Sequence, residues 1–169
     1  MFMLPNPIAR LCGAMLGLFL LAAASAQALA ADQAPFTVFH PPTTTTLTTA
    51  GSDGHQPGDL RVISLPVSDA DGKPTGRLDA LLTTTAIDTP AEGDEIRVTE
   101  LVFSFDSGDV IIIGGSGIYP KQGPTLKPGT SLVRPIKGAA GRFAGQTGWC
   151  ESVHKEDGSW SHSFHFATP

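Results

Sequence analysis

Past Ala31 no window holds apolar residues at helical spacing for more than about two turns, whereas short β-branched and aromatic runs, broken by Gly, Pro and Asp, recur along the chain. The pattern predicts an all-β protein with about eight strands: Pro35 to His40, Leu60 to Val67, Arg77 to Ile87, Glu95 to Phe105, Asp109 to Gly114, Thr130 to Ile136, Gly145 to Val153 and Trp160 to Phe166. Turn signals separate them, at Asp71-Gly72-Lys73-Pro74, Asp106-Ser107-Gly108, Gly123-Pro124, Lys127-Pro128-Gly129 and Asp157-Gly158. Such short connections pair neighbouring strands antiparallel. Alternation assigns faces: Trp160, His162, Phe164 and Phe166 share one side of the last strand, opposite Ser161, Ser163 and His165. Leu101, Phe103 and Phe105 form another apolar face, and Ile111, Ile112 and Ile113 are apolar on both sides, as in a strand covered on both faces. The Thr-rich run Thr43 to Thr49 reads as an extended strand or linker. Eight strands of this kind make either a sandwich or a closed barrel.

The first thirty residues follow another logic. From Leu11 to Ala24 the chain is almost wholly apolar, behind the single cation Arg10 and ahead of two small-x-small sites, Ala24-Ser25-Ala26 and Ala28-Leu29-Ala30. This predicts a signal peptide over residues 1–30, cleaved before Ala31, and a secreted or periplasmic protein with a single domain over 31–169. The apolar run is short of the roughly 20 residues of a membrane span. Cys12 precedes most of that run, which argues against a lipoprotein. Cleavage leaves Cys150 alone, so no intramolecular disulfide forms; in its apolar strand it reads as a small buried hydrophobe. The only Asn is Asn6, so the mature chain has no N-glycosylation site.

Composition narrows the function classes. The chain of 169 residues has 11 Lys and Arg against 16 Asp and Glu; with Arg10 removed the mature domain carries a net charge of −6. That gives no basic field for nucleic acid or an anionic membrane surface, so neither is expected as a partner. Gly114, Gly115 and Gly117 follow a strand but lead into Tyr119-Pro120, where a phosphate-binding loop needs a helix. Ser116 lacks the second glycine of a nucleophile elbow. His162 and His165 point to opposite faces and cannot share a metal, and no metal site is expected. Glu92, Asp94 and Glu95 read as a solvated acidic run between strands.

The stretches GDLRVISLPVSDADGKPTGRL, ELVFSFDSGDVIIIGG, RPIKGAAGRFAGQTGWCESV and WSHSFHF, in this order, resemble the plant allene oxide cyclase and dirigent superfamily over roughly Gly58 to Phe166. The most specific part is Gly138 to Gly145, similar to that family's Gly-Gly-Ser/Thr-Gly-x-Phe segment; Phe103-Ser104-Phe105 ahead of Gly108-Asp109, and Asp71-Gly72-Lys73 ahead of Gly76-Arg77, are further matches. The resemblance implies an eight-stranded antiparallel closed β-barrel of calycin-like build around an apolar cavity, with no metal or organic cofactor, and dirigent relatives suggest a homo-oligomer. It also implies an apolar small molecule as partner, whose stereoselective cyclisation or coupling the barrel steers. The family's acidic residues are missing: the first strand, Phe36 to Thr46, has no carboxylate, and Ser116 and Pro41 stand where dirigent proteins carry Asp. A non-catalytic carrier or sequestering barrel, or a filled structural or host-interaction barrel, are the alternatives. The catalytic residue is not legible. Candidate ligand-binding residues are Arg134 as an orienting cation, Tyr119 and Trp149 as polar-tipped aromatics, and His162 and His40; each also reads as core or rim packing.

Overall fold

The computed structural model describes residues 33–44, 46–48, 55–122 and 125–167, all within the compact unit 33–169. The expected export segment, 1–30, and the expected turn at Gly123-Pro124 lie outside these residues. The described strands are β1 (Phe36–His40), β2 (Thr46–Thr48), β3 (Leu60–Ser68), β4 (Pro74–Ile87), β5 (Asp94–Phe105), β6 (Val110–Pro120), β7 (Ser131–Ala140), β8 (Gly148–His154) and β9 (Trp160–Phe166). From β3 to β9 each strand pairs antiparallel with the next. β1 pairs with β9 through five residues and touches β3 at Phe39 and Ser68, which closes the sheet; β2 lies further along the same edge of β3. β1 and β2 thus share one stave, and the protein is an eight-stranded closed antiparallel β-barrel, as expected.

The expected strands are all present, four with an end shifted by three residues or more; β4 begins at Pro74, three residues before the expected Arg77. β6 continues beyond Gly114 to Pro120 because its glycines stay in register with β5, Gly114 opposite Glu100, Gly115 opposite Thr99 and Gly117 opposite Arg97. A side chain at Gly117 would sit 2.6 Å from Leu132, so the bare backbone there is what lets Leu132 lie across the strand. β7 runs on to Ala140, and β8 begins at Gly148 because Gly141–Phe143 form a turn of 3₁₀ helix. Part of the Thr-rich run becomes β2.

Inward side chains divide the barrel into two ends, which β5 displays along its roughly 33 Å from Glu95 to Phe105. Its inward residues are Glu95, Arg97 and Thr99, then Leu101, Phe103 and Phe105, all buried. At the apolar end Phe36 packs against Phe105, Phe143, Phe164 and Phe166 with ring centres 4.9 to 6.2 Å apart, and the 3₁₀ turn delivers Phe143 as the plug. Glu95 is fully buried, which corrects its reading as part of a solvated run: it opens the inward face of β5, while Glu92, two residues before the strand, is exposed.

Candidate ligand site in the barrel lumen

Between the two ends lies a cavity of about 40 Å³. Ile63, Leu78, Leu82 and Leu101 form its apolar wall; Tyr119, Arg134, Ser152, Trp160, His162 and His40 form its polar side, and Thr43 and Thr125 join from the loops after β1 and β6. One water needs roughly 10–15 Å³, so the space takes a few waters or the polar head of a small molecule.

Strand register builds the polar side. Trp160 of β9 stands between His40 of β1 and His154 of β8, its direct cross-strand partners, with ring centres 6.0 and 4.6 Å away. His162, two residues on, faces the same way and lies 5.1 Å from the His40 ring. The Nδ1 atoms of His40 and His154 each lie 2.7 Å from a backbone carbonyl, of Pro41 and Leu126 respectively. A carbonyl only accepts, so both Nδ1 atoms carry hydrogen. His162 Nδ1 is 2.9 Å from Ser152 Oγ. Burial, then the neighbouring His40 and Arg134, hold the His162 pKa well below its usual value, so the ring is neutral near pH 7. Burial also lowers His40, opposed by its bond to Pro41.

Arg134 of β7 is 4% exposed and donates from Nη2 to the Tyr119 hydroxyl. The Tyr119 ring has the Arg97 guanidinium over one face, 4.6 Å from the ring centre. Burial raises the Tyr119 pKa despite both cations, which keeps the phenol protonated. Behind it Glu95 Oε1 accepts from Arg61 at 3.0 Å and from Arg97, and Arg61 donates to Thr84 Oγ1 at 2.9 Å. Three buried nitrogens on the cavity lining have no partner: Arg134 Nε, Trp160 Nε1 and His162 Nε2. Among the described residues no cluster of His, Cys, Asp and Glu is arranged to hold a metal ion.

No family model matches the sequence, and no curated protein matches it. Solved structures do match in three dimensions. A pyocyanin demethylase aligns at a TM-score of 0.62 and 18% identity, over 79% of this chain and 100% of its own. The Diels-Alderase AbmU from Streptomyces koyangensis aligns at 0.59 and 17% identity, over 100% of this chain and 84% of its own. The pterocarpan synthase dirigent protein GePTS1 aligns at 0.52 and 11% identity, over 79% and 83%. The chain shares its barrel fold with these proteins. At such identities the likeness is one of fold, and the dirigent side of the sequence resemblance is matched at that level.

Of the five residues singled out from sequence, Arg134, Tyr119, His162 and His40 line this cavity. Trp149 does not. It is 44% exposed on the outer wall and stacks on His165 at 5.1 Å, because the next residue of β8, Cys150, takes the inward position. Sequence reasoning passed over Trp160, Ser152, Arg61, Arg97 and Glu95. For Trp160 the signal was present, since it shares the face of His162; for Arg97 and Glu95 it lay in the period-two face of Leu101 and Phe103 carried backwards.

Proposed function

We propose that the protein takes a small molecule with an apolar body and an acceptor oxygen head-first into the barrel lumen and steers its stereoselective cyclisation or coupling. The observation that carries this is the convergence of three unpartnered buried nitrogens, Arg134 Nε, Trp160 Nε1 and His162 Nε2, on one cavity with an apolar wall. A buried donor without an acceptor costs about 1–3 kcal/mol, and a ligand oxygen, or water awaiting one, removes that cost. Donors fixed beforehand around a carbonyl stabilise negative charge that develops on it during bond formation. The apolar wall restricts the conformers of the rest of the molecule and excludes water. Little energy is required: about 1.4 kcal/mol between two poses gives a tenfold product preference. That barrels of this fold are described as a Diels-Alderase and as a pterocarpan synthase dirigent protein supports the reading. Export of the mature domain, from the segment Leu11 to Ala24, belongs to it.

One observation favours a plain carrier instead: no carboxylate lines the cavity among the described residues. Native mass spectrometry on protein purified from its producing cells, with extraction of whatever is bound, tests the site itself. A reproducible adduct lost in Arg134→Gln supports it; a clean mass together with no thermal shift across a library of small carbonyl compounds overturns it. With the ligand known, His162→Gln separates steering from carriage, since loss of product stereochemistry with binding retained belongs only to steering.

A further inference from the structure

We infer that the acceptor the lumen selects is a full negative charge, a carboxylate or an enolate, held by Arg134; the inference rests on the lumen being the ligand site. Among the described residues the buried charged side chains are Asp59, Arg61, Glu95, Arg97, Asp109 and Arg134. Asp109 belongs to the apolar end, where it pairs with Arg142 at 3.1 Å. At the polar end three guanidiniums therefore face two carboxylates. Glu95 is shared by Arg61 and Arg97. Asp59 lies beside the start of β3, its backbone bonded to Thr84 and its carboxylate accepting from the Gln56 N–H at 3.1 Å. Arg134 has no carboxylate within 4.0 Å among the described residues and is bonded only to a neutral phenol.

The acids nearest Arg134 supply no charge. Burial holds Tyr119 protonated and pushes the Cys150 thiol up to about 12. Glu151, the next residue of β8, is half-buried on the opposite side of the strand from Cys150 and Ser152. A buried guanidinium left without a counter-charge is costly, and one anionic group restores the balance. The geometry suits it. Nε and Nη2 lie along one edge of a guanidinium, so an oxygen on the unpartnered Nε sits next to the Tyr119 hydroxyl, which accepts from Nη2 and keeps its own proton to give to a second oxygen. In the tautomer in which Ser152 donates to Nδ1, neutral His162 carries its proton on Nε2 and donates as well, alongside Trp160 Nε1. A neutral ketone engages the same donors and leaves the charge unbalanced.

The test uses Trp149→Phe, which removes the outer-wall indole and leaves Trp160 as the sole tryptophan reporter beside the cavity. Benzoate and benzamide, near-identical in shape and different in charge, are titrated at pH 7 by fluorescence and thermal shift. Benzoate tighter by tenfold or more, the preference retained in part by Arg134→Lys and lost in Arg134→Gln, is the expected result. Equal affinity, or tighter benzamide, overturns the anion while leaving the lumen site standing. Silence from both probes overturns the anion, and the lumen site falls with it only if the wider carbonyl library is silent too. The comparison of the two probes needs no variant at Arg134 to fold.

Discussion

His162 is 2% exposed and faces His40, Arg134, Ser152 and Phe103, with no carboxylate among them. Its folded pKa and that of His40 are lowered, while in the unfolded chain both titrate near 6.5. Above that value neither state binds the proton and the rings contribute nothing to pH dependence; below it the unfolded state binds protons that the folded state refuses. Stability therefore falls as the pH drops from about 6.5, by up to about 1.4 kcal/mol per pH unit for each ring. The carboxylates held low, Asp79, Asp88, Asp109 and Asp157, lose their contribution only below about pH 4, so the two windows separate. Urea unfolding at pH 7.0, 6.0 and 5.0 should show this decline, and His162→Gln should make it shallower; a flat profile over that range would contradict a neutral buried imidazole. Cys150 offers a second check at this scale. With its thiol pushed up to about 12 and no exposed surface, it should ignore Ellman's reagent in the folded protein and react fully in denaturant. Labelling of the native protein within minutes would show that β8 opens.

Among the elements, the 3₁₀ turn at Gly141–Phe143 is the most exacting. Gly141 has φ +69°, and a Cβ there would run into the Asp109 carboxylate. That carboxylate accepts from the Arg142 backbone N–H at 2.7 Å, pairs with the Arg142 guanidinium at 3.1 Å and accepts from Ser107 at 2.6 Å, tying the turn to the β5–β6 hairpin and seating Phe143. Gly138, three residues earlier in β7, has nothing within 4 Å of its Cβ position. Gly141→Ala should cost about 2 kcal/mol or more, from strained backbone and a displaced carboxylate, whereas Gly138→Ala should stay within about 0.5 kcal/mol. Equal losses in denaturant unfolding would deny the turn its special role. This pair also shows what the sequence makes legible at the level of elements. β9 is recovered to the residue because Trp160, His162, Phe164 and Phe166 alternate with Ser161, Ser163 and His165 along its whole length. β8 is entered three residues early because a glycine-rich stretch carries no period that distinguishes a 3₁₀ turn from a strand. Arg61, Glu95 and Arg97 escape because apolar-inward patterning fails wherever charges are buried in pairs.

Closure belongs to the whole molecule, and nothing local announces it. Alternation and turns predict the run from β3 to β9 equally well for a sandwich; what makes a barrel is β1, over a hundred residues away, docking on β9. Phe36 to His40 pair with Phe164 to Trp160, and among the described residues β1 meets β3 at the single pair Phe39 and Ser68. The same strand brings Val38 and Phe36 into the core and His40 to the cavity, so closing the barrel and completing the site are one event. A chain beginning at Ala31 keeps every described strand and should retain their fold. One beginning at Thr43 loses β1 and leaves β9 and β3 with open edges, which recruit other chains. It should bind a hydrophobic dye, associate beyond the state of the full fold and, in the Trp149→Phe background, show red-shifted Trp160 emission. A peptide spanning residues 33–42, supplied in excess, should pair with the vacant β9 edge by strand addition and reverse all three effects. Should the shortened chain keep the association state, melting temperature and emission of the full fold, β1 would be an ornament on a sheet that closes without it, and His40 would have no place in the site.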